Sequence, residues 1–168
     1  MRALYECKIG KMMIESATRP DGSEAILRVE YVDENSLDQS HPRAGMLANS
    51  PVINHCAREF DEYFEGQRKT FDVPLMLVGT PFREKCWAQL MCIPYGEKIS
   101  YGEMARRVGN SKASRAVGGA NHHNPVNIIV PCHRVIAADR SLGGYGGGLW
   151  RKEWLLAWED KHKCQDGC

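Results

Sequence analysis

Two helix starts and the extended stretch between them constrain the fold of this 168-residue chain more than any other feature. Ser50-Pro51 and Thr80-Pro81 each place a hydroxyl side chain before a proline. That order is typical of a helix N-cap followed by the first helical position. Residues 67–79, between the two predicted helices, have the character of an extended connector. The pattern predicts two small lobes, with a domain boundary between residues 1–79 and 80–168.

The N-terminal lobe is predicted to be a small antiparallel sheet with one helix. Residues 27–31 alternate apolar and charged side chains, which is the period of a half-buried strand. The turn sequence Arg19-Pro20-Asp21-Gly22 precedes this strand, and residues 33–49 are polar and loop-like. Apolar residues at helical spacing follow Pro51. No chemistry is evident in this lobe, so we expect it to be structural.

The distribution of charge differs between the two parts of the chain. Residues 1–79 hold nine basic and thirteen acidic side chains, a net charge of −4, whereas residues 80–160 hold eleven and seven, a net charge of +4. The basic part is therefore the one expected to meet a polyanion. Chance clustering of solvated charges is the alternative that the composition leaves open.

Seven cysteines stand at irregular spacings, and no C-x-x-C pair occurs. The pattern predicts free thiols in a reducing compartment, which is the cytoplasm of a prokaryote or the nucleus of a eukaryote. No apolar run approaches a membrane span, so we expect no membrane partner. Four residues could be considered as metal ligands, but their spacing favours ordinary roles, and we predict no metal site: Cys7, His41, His55 and Cys56.

A helix-turn-helix pattern begins at Ser100. Ser100 and Glu103 form a capping box for a short helix that Gly109-Asn110 ends, and Ser111 is predicted to cap a second helix from Lys112 to about His122. Such a corner is consistent either with DNA binding or with an ordinary helical fold. Basic residues concentrated here favour DNA: Lys98, Arg106, Arg107, Lys112 and Arg115.

One side of the second helix carries almost no side-chain bulk. Two glycines in a helix interior cost about 1 kcal/mol each, so the pattern needs a reason. Close approach to another surface is that reason, and the surface is either the core of the protein or a DNA backbone. The small residues on this side are Ala113, Ser114, Ala116, Gly118, Gly119 and Ala120.

Residues 126–130 are predicted to form a buried strand that ends at Pro131, directly before Cys132 and His133. A nucleophilic cysteine needs a nearby base or positive charge. Because neighbours in a strand point to opposite faces, His133 can serve Cys132 only if the backbone turns after Pro131 or if a water bridges the two side chains. A buried structural cysteine beside a packed histidine is the alternative at this point.

Two further features follow the cysteine. Residues 138–148 form a glycine-rich loop, and a final helix is predicted from about Leu149 to Lys161. Glu159 on this helix is a candidate to orient the His133 imidazole, as the acid does in a nucleophile–base–acid relay.

The segment Pro131–Val135 resembles the active-site signature of the O6-alkylguanine-DNA alkyltransferases, also called methylated-DNA–protein-cysteine methyltransferases. The resemblance runs from about Thr80 to Glu159, while residues 1–79 match only in general layout. It implies an α+β fold with a ribonuclease-H-like N-terminal lobe and a mostly helical, winged-helix-like C-terminal domain. The other matching segments are Ile99–Tyr101, Arg115–Ala120, Asn124-Pro125, Gly144–Gly148 and Lys152–Leu156.

The resemblance implies a single-turnover reaction in which Cys132 accepts the alkyl group of O6-alkylguanine, or of O4-alkylthymine, in DNA. His133 would act as a base through a water, with Glu159 orienting it. Tyr101 would donate a proton to guanine N3, so that the base leaves as neutral guanine. Asn124 would brace the active-site turn. No cofactor is implied.

The same resemblance assigns the nucleotide pocket. The backbone of Cys132 and Val135 would bind the guanine amino group, and the amide of Gly146 would contact O6, with Tyr145 and Gly147 completing the pocket. Gly146 stands where many relatives carry a small hydroxyl residue. Asn127 stands where some carry proline, which leaves the fit of bulky benzyl adducts open.

The partner implied is double-stranded DNA, bound by a monomer through the minor groove and with little dependence on base sequence. The damaged nucleotide would be flipped out, and Arg115 would fill the place that it vacates. The remaining residues assigned to DNA are Ser100, Lys112, Ala113, Ser114, Ala116, Gly118, Gly119, Asn121 and His122.

Two other functions compete with this one. A DNA-lesion binder or helix-turn-helix regulator could keep Cys132 without transferring an alkyl group to it. A thiol hydrolase could use Cys132 and His133, although no hydrolase signature surrounds the cysteine.

Overall fold

The computed structural model describes residues 1–33 and 50–164. It divides into two compact units. One comprises the described residues up to Val78 together with Pro125–Asn127, and the other comprises Gly79–Asn124 and the described residues from Ile128 onward. Apart from Asp33, the loop predicted at residues 33–49, which includes His41, lies outside the described residues.

The N-terminal unit is a three-stranded antiparallel sheet covered by one helix, as predicted. Alternate side chains of the strands are buried beneath the helix, among them Ile14, Ile26 and Val29. Ser50 caps the helix by accepting a hydrogen bond from the Ile53 amide at 3.4 Å. The elements are β1 (Arg2–Cys7), β2 (Gly10–Thr18), β3 (Glu24–Val32) and α1 (Pro51–Phe64).

The second unit is mostly helical, so the predicted α+β architecture is confirmed. It also contains a two-stranded parallel pair. In the described part of the chain, no helix has the length and apolar character needed to cross a membrane. The elements are α2 (Pro81–Met91), β4 (Ile99–Ser100), α3 (Tyr101–Arg107), α4 (Ser114–His122), a 3-10 turn (Cys132–Arg134), β5 (Val135–Ile136) and α5 (Leu149–His162).

The helix-turn-helix pair consists of α3 and α4. At the start of α3, one of the two contacts of the predicted capping box is present. Ser100 Oγ accepts a hydrogen bond from the Glu103 amide at 3.1 Å. The Glu103 carboxylate instead accepts hydrogen bonds from Arg106 at 2.7 Å and Arg107 at 3.2 Å. The ion pairs therefore replace the backward contact that a complete capping box would make.

The predicted start of α4 is wrong by two residues. The helix begins at Ser114, and Ala113 occupies the N-cap position without a side-chain hydrogen bond. Asn110 explains the difference. Its side chain accepts from the Lys112 amide at 3.1 Å and its carbonyl from the Ala113 amide at 3.0 Å, so a turn takes up the amides that Ser111 was expected to cap.

The strand predicted at residues 126–130 is also wrong. The bridge between Val126 and Val29 is an isolated one, and Ile128 has a φ of 72°, in the left-handed region that a strand does not allow. The segment is apolar because it is buried, with Val126, Ile128 and Val130 all at most 1% exposed. The Val130 carbonyl accepts hydrogen bonds from the Asn124 side chain and from the Cys132 amide.

Candidate active site

The backbone turns immediately after Pro131. Such a turn was one of the two ways in which His133 could serve Cys132. Cys132–Arg134 form a 3-10 turn. It is held by a hydrogen bond from the Cys132 amide to the Val130 carbonyl at 2.9 Å and by one from the Arg134 amide to the Pro131 carbonyl at 3.0 Å. Neighbouring side chains in such a turn no longer point to opposite faces.

The thiol of Cys132 is held by Asn124. The Asn124 side-chain amide donates to the Val130 carbonyl at 2.7 Å and to the Cys132 sulfur at 3.2 Å, so one residue fixes both the turn and the thiol. Burial raises the pKa of Cys132, while the Asn124 hydrogen bond and the Lys152 charge lower it. Because burial prevails, the thiol needs a base to become a nucleophile.

Glu159 is a buried carboxylate that accepts four hydrogen bonds. His133 Nε2 lies 2.8 Å from its Oε1, and Arg134 donates through Nε and Nη2, each at 2.9 Å. The amide of Gly96 donates at 3.1 Å. Burial alone raises the pKa of Glu159, but the charges and hydrogen bonds of His133 and Arg134 outweigh it and hold the pKa far below its usual range. The carboxylate is therefore ionised at neutral pH.

His133 is a neutral imidazole with one free lone pair. Burial lowers its pKa, and the positive charges of Arg134 and Lys152 act in the same direction against Glu159. Because ionised Glu159 can only accept, the proton of the neutral ring lies on Nε2. The other nitrogen, Nδ1, is buried and has no hydrogen-bond partner in the described structure. This ring can therefore take up a proton at Nδ1.

A cavity of about 400 Å³ opens beside Cys132. Burial raises the pKa of Tyr101 in its wall, so the phenol keeps its proton at neutral pH. Several residues predicted for DNA contact lie in this wall, whereas Val135 and Gly147 are not among the described residues that line it. The lining residues are Tyr101, Gly118, Asn121, His122, Cys132, Gly144, Tyr145 and Gly146.

Lys152 is a functional candidate that the sequence reasoning missed. The side chain is fully buried, and its ammonium group donates to the Val135 carbonyl at 2.6 Å and to the Gly144 carbonyl at 3.2 Å. It also lies 5.9 Å from the ring centre of Tyr101. Burial lowers the pKa of Lys152 to about 8, against the opposing effect of Cys132. One cation thus joins β5, the glycine-rich loop and Tyr101.

A sequence signal for Lys152 existed in the spacing of α5. The buried positions of this helix include Lys152, Leu155, Leu156 and Glu159, which lie three, four and seven residues from the first. That spacing defines one helix face. Lys152 lies on this face, so the spacing predicts that its side chain is buried.

The small residues of α4 divide between two surroundings. Ala113 and Ala120 are buried in the protein, whereas Arg115, Ala116 and Gly119 are exposed. A Cβ atom added to Gly119 would meet nothing within 4 Å. Packing against the protein core therefore accounts for Ala113 and Ala120, whereas the outer face of α4 is open to solvent.

The N-terminal unit brings three metal-binding atoms within 4.8 Å of one another, from His55, Glu59 and Asp72. Of the four residues considered as metal ligands from the sequence, only His55 belongs to this group. Arg68 Nη1 lies 2.9 Å from Glu59 Oε1 and 3.6 Å from Asp72 Oδ2. The guanidinium already supplies the carboxylates with a cation, so the group fits an ion-pair network better than a metal site.

Comparison with known proteins identifies one family over most of the chain. Residues 81–161 match the family described as the DNA binding domain of 6-O-methylguanine DNA methyltransferase, and residues 1–77 match its ribonuclease-like domain. Two curated relatives carry the name methylated-DNA–protein-cysteine methyltransferase. The one from Mycolicibacterium paratuberculosis is 47% identical over 75% of this chain and 78% of its own. The one from Haemophilus influenzae is 40% identical over 92% and 83%.

A solved structure extends the similarity to the whole fold. The Mycobacterium tuberculosis protein OGT, crystallised in complex with DNA, is 37% identical, with a TM-score of 0.81 over 96% of this chain and 93% of its own. Both units of the present chain are thus found together in a related protein. With the cysteine turn, the Glu159 contacts and both domain matches in agreement, this chain belongs to the methylated-DNA–protein-cysteine methyltransferase family.

Proposed function

We propose that this protein repairs DNA by transferring one alkyl group from O6-alkylguanine, or from O4-alkylthymine, to Cys132. The observation that carries the proposal is the pairing of a buried thiol, held by Asn124 beside a cavity, with an imidazole whose Nδ1 is free. The names of the curated relatives support the same reaction.

In the proposed reaction, a water between His133 Nδ1 and Cys132 passes the thiol proton to the imidazole, and Glu159 stabilises the imidazolium that forms. The thiolate attacks the alkyl carbon, so that a sulfur–carbon bond forms as the carbon–oxygen bond to O6 breaks. Tyr101 gives its proton to guanine N3, and the base leaves as neutral guanine. The thioether is a poor leaving group, so each chain reacts once.

The pocket residues would orient the base for this attack. The carbonyls of Cys132 and Val135 would accept from the guanine amino group, and the Gly146 amide would donate to O6. Tyr145 and Gly147 would complete the walls. Because Lys152 already binds the Val135 carbonyl, it fixes the direction of one of these acceptors.

Residues 1–79 would have a structural role, and residues 80–168 would bind DNA and accept the alkyl group. The exposed face of α4, where Gly119 has open space above it, suits entry into a minor groove. Ser100, Lys112 and Ser114 would contact the DNA backbone near this face. Binding by a monomer would depend on salt and little on base sequence.

Transfer can be tested with duplex DNA that carries O6-methylguanine with an isotopically labelled methyl group. We expect one label per chain, recovered by peptide mapping only at Cys132. Cys86 and Cys92 serve as internal controls, because they are thiols of the same unit outside the cavity. Repeated release of a labelled small molecule would indicate a hydrolase, and binding without transfer would indicate a lesion sensor. Either result would contradict the proposal.

Arg115→Ala should slow repair of duplex DNA by about 100-fold while changing the reaction with a free O6-alkylguanine base by less than about threefold. A free base needs no flipping, which for a nucleotide in a duplex costs a few kcal/mol. Single-turnover rates on the two substrates measure the difference. Arg28→Ala is the matched control, because it removes an exposed arginine from β3. An equal loss on both substrates would rule out the flipping role.

A further inference from the structure

The side chain of Asn121 has unmet hydrogen-bonding capacity in the wall of the cavity. Its Nδ2 and Oδ1 atoms are both buried, and neither has a hydrogen-bond partner in the described structure. Buried polar groups in native proteins are nearly always paired, because an unpaired one is costly. An unpaired carboxamide on a residue that lines the same cavity as Cys132 therefore points to a ligand that both donates and accepts.

Asn121 lies on the side of the cavity where O6 of the bound base is expected. Asn121 and His122 form the last turn of α4. A Cβ atom added to Gly146 would lie 3.9 Å from both the ring Nδ1 and the carbonyl of His122, so this turn faces the glycine-rich loop. In the proposed function the Gly146 amide binds O6. The end of α4 therefore lies beside O6 and the group attached to it.

The chemistry of O6-alkylguanine narrows the partner of Asn121. Alkylation at O6 removes the hydrogen from N1, so N1 and N7 are acceptors only, and the amino group is already assigned to backbone carbonyls. The ring could satisfy Nδ2 of Asn121 but not Oδ1. A hydroxyl group on the O6 substituent satisfies both atoms, because it donates to Oδ1 and accepts from Nδ2.

We propose that Asn121 is a specificity-determining residue that makes the pocket favour O6 substituents carrying a hydroxyl group, such as 2-hydroxyethyl, over apolar substituents of equal size. The proposal rests on the proposed function and names its substrate class more closely. The cavity of about 400 Å³ lies within the range of small-molecule sites. His122, at the exposed rim of the cavity, adds a second polar side chain beside the substituent.

The test compares duplexes that differ only in the O6 substituent, 2-hydroxyethyl or propyl, under single-turnover conditions with excess protein. We expect Asn121→Leu to lower the hydroxyethyl-to-propyl rate ratio about tenfold from its wild-type value, which corresponds to one net hydrogen bond. Asn121→Asp keeps an acceptor and should give an intermediate ratio. Any loss of DNA affinity affects both duplexes equally and cancels. His123→Leu, which alters the exposed residue after α4, should keep the wild-type ratio.

Other outcomes are equally decisive. An unchanged ratio in Asn121→Leu, or an equal loss on both duplexes, would show that Asn121 either contacts the guanine ring or makes no contact with the substrate. Either result would overturn the inference. If Asn121→Leu reacts with neither duplex, the proposal is tested instead by binding. The affinities of the Cys132→Ser variant, which keeps Asn121, are then measured for the two duplexes. About tenfold tighter binding of the hydroxyethyl duplex supports the proposal, and equal affinities refute it. Failure of the wild-type protein to react with O6-methylguanine would instead refute the proposed function.

Discussion

Glu159→Gln should destabilise the folded protein by about 3–5 kcal/mol and abolish most alkyl transfer. Arg134 is 6% exposed and has its charge balanced by Glu159 through two hydrogen bonds. Removing one member of a buried ion pair leaves the other charge uncompensated, which accounts for the magnitude. The imidazole of His133 would lose the anion that fixes its tautomer. Urea unfolding measures the first effect and single-turnover transfer the second.

Asp160→Asn is the matched control for this substitution. Asp160 is the next residue of α5, and it binds Lys98 and Lys163 at the surface. Exposed pairs of this kind contribute at most about 1 kcal/mol. A loss from Asp160→Asn as large as that from Glu159→Gln would show that any acidic residue at the end of α5 has the same effect.

The effect of Glu159→Gln should also depend on pH. An unfolded glutamate has a pKa of about 4.3, and the folded-state pKa of Glu159 lies well below it. The carboxylate therefore stabilises the fold fully above about pH 5, and this contribution is lost as the pH falls toward the folded-state pKa. The difference between wild type and Glu159→Gln should shrink below about pH 4. A difference that grows on acidification would contradict the assigned charge.

Lys152→Met should slow alkyl transfer by at least about 100-fold. The ammonium group binds the carbonyls of Val135 and Gly144, and its charge favours the Cys132 thiolate. A displacement of about 1 Å at a reacting centre can cost this much in rate. Transfer should be measured at pH 7, below the Lys152 pKa of about 8, where the wild-type residue is charged.

Lys161→Met is the matched control for Lys152→Met, because Lys161 is an exposed lysine on the same helix. It should leave the rate within about twofold of wild type. Thermal unfolding of both variants separates a loss of positioning from a loss of fold. If Lys152→Met is folded and transfers at the wild-type rate, the buried cation has no part in the chemistry.

The sequence was most informative where a motif is local. The caps at Ser50 and Thr80, the corner at Ser100 and the cysteine segment all depend on residues a few positions apart, and the structure contains each of them. Glu159 was predicted as the partner of His133 through the resemblance, and the structure brings the two within 2.8 Å.

What the sequence did not reveal depends on contacts between distant segments. Lysines are rarely buried. The spacing of α5 indicates that Lys152 is one of the exceptions, but it does not identify the carbonyls that the ammonium group binds, because these lie on other segments. The free amide of Asn121 likewise becomes evident only when the cavity is known. The apolar run before Cys132 suggested a strand because hydrophobicity reports burial, and hydrophobicity does not reveal the left-handed backbone conformation of Ile128.

The sharing of Glu159 has a consequence for how this protein can diverge. The same carboxylate contacts the His133 imidazole, Arg134 and the Gly96 amide, so a mutation there is expected to impair reactivity and folding together. Cys132 is different, because its sulfur accepts one hydrogen bond from Asn124, and Asn124 also has the Val130 carbonyl to bind. A descendant that abandons repair while keeping the fold is therefore expected to lose the cysteine first and to retain the glutamate.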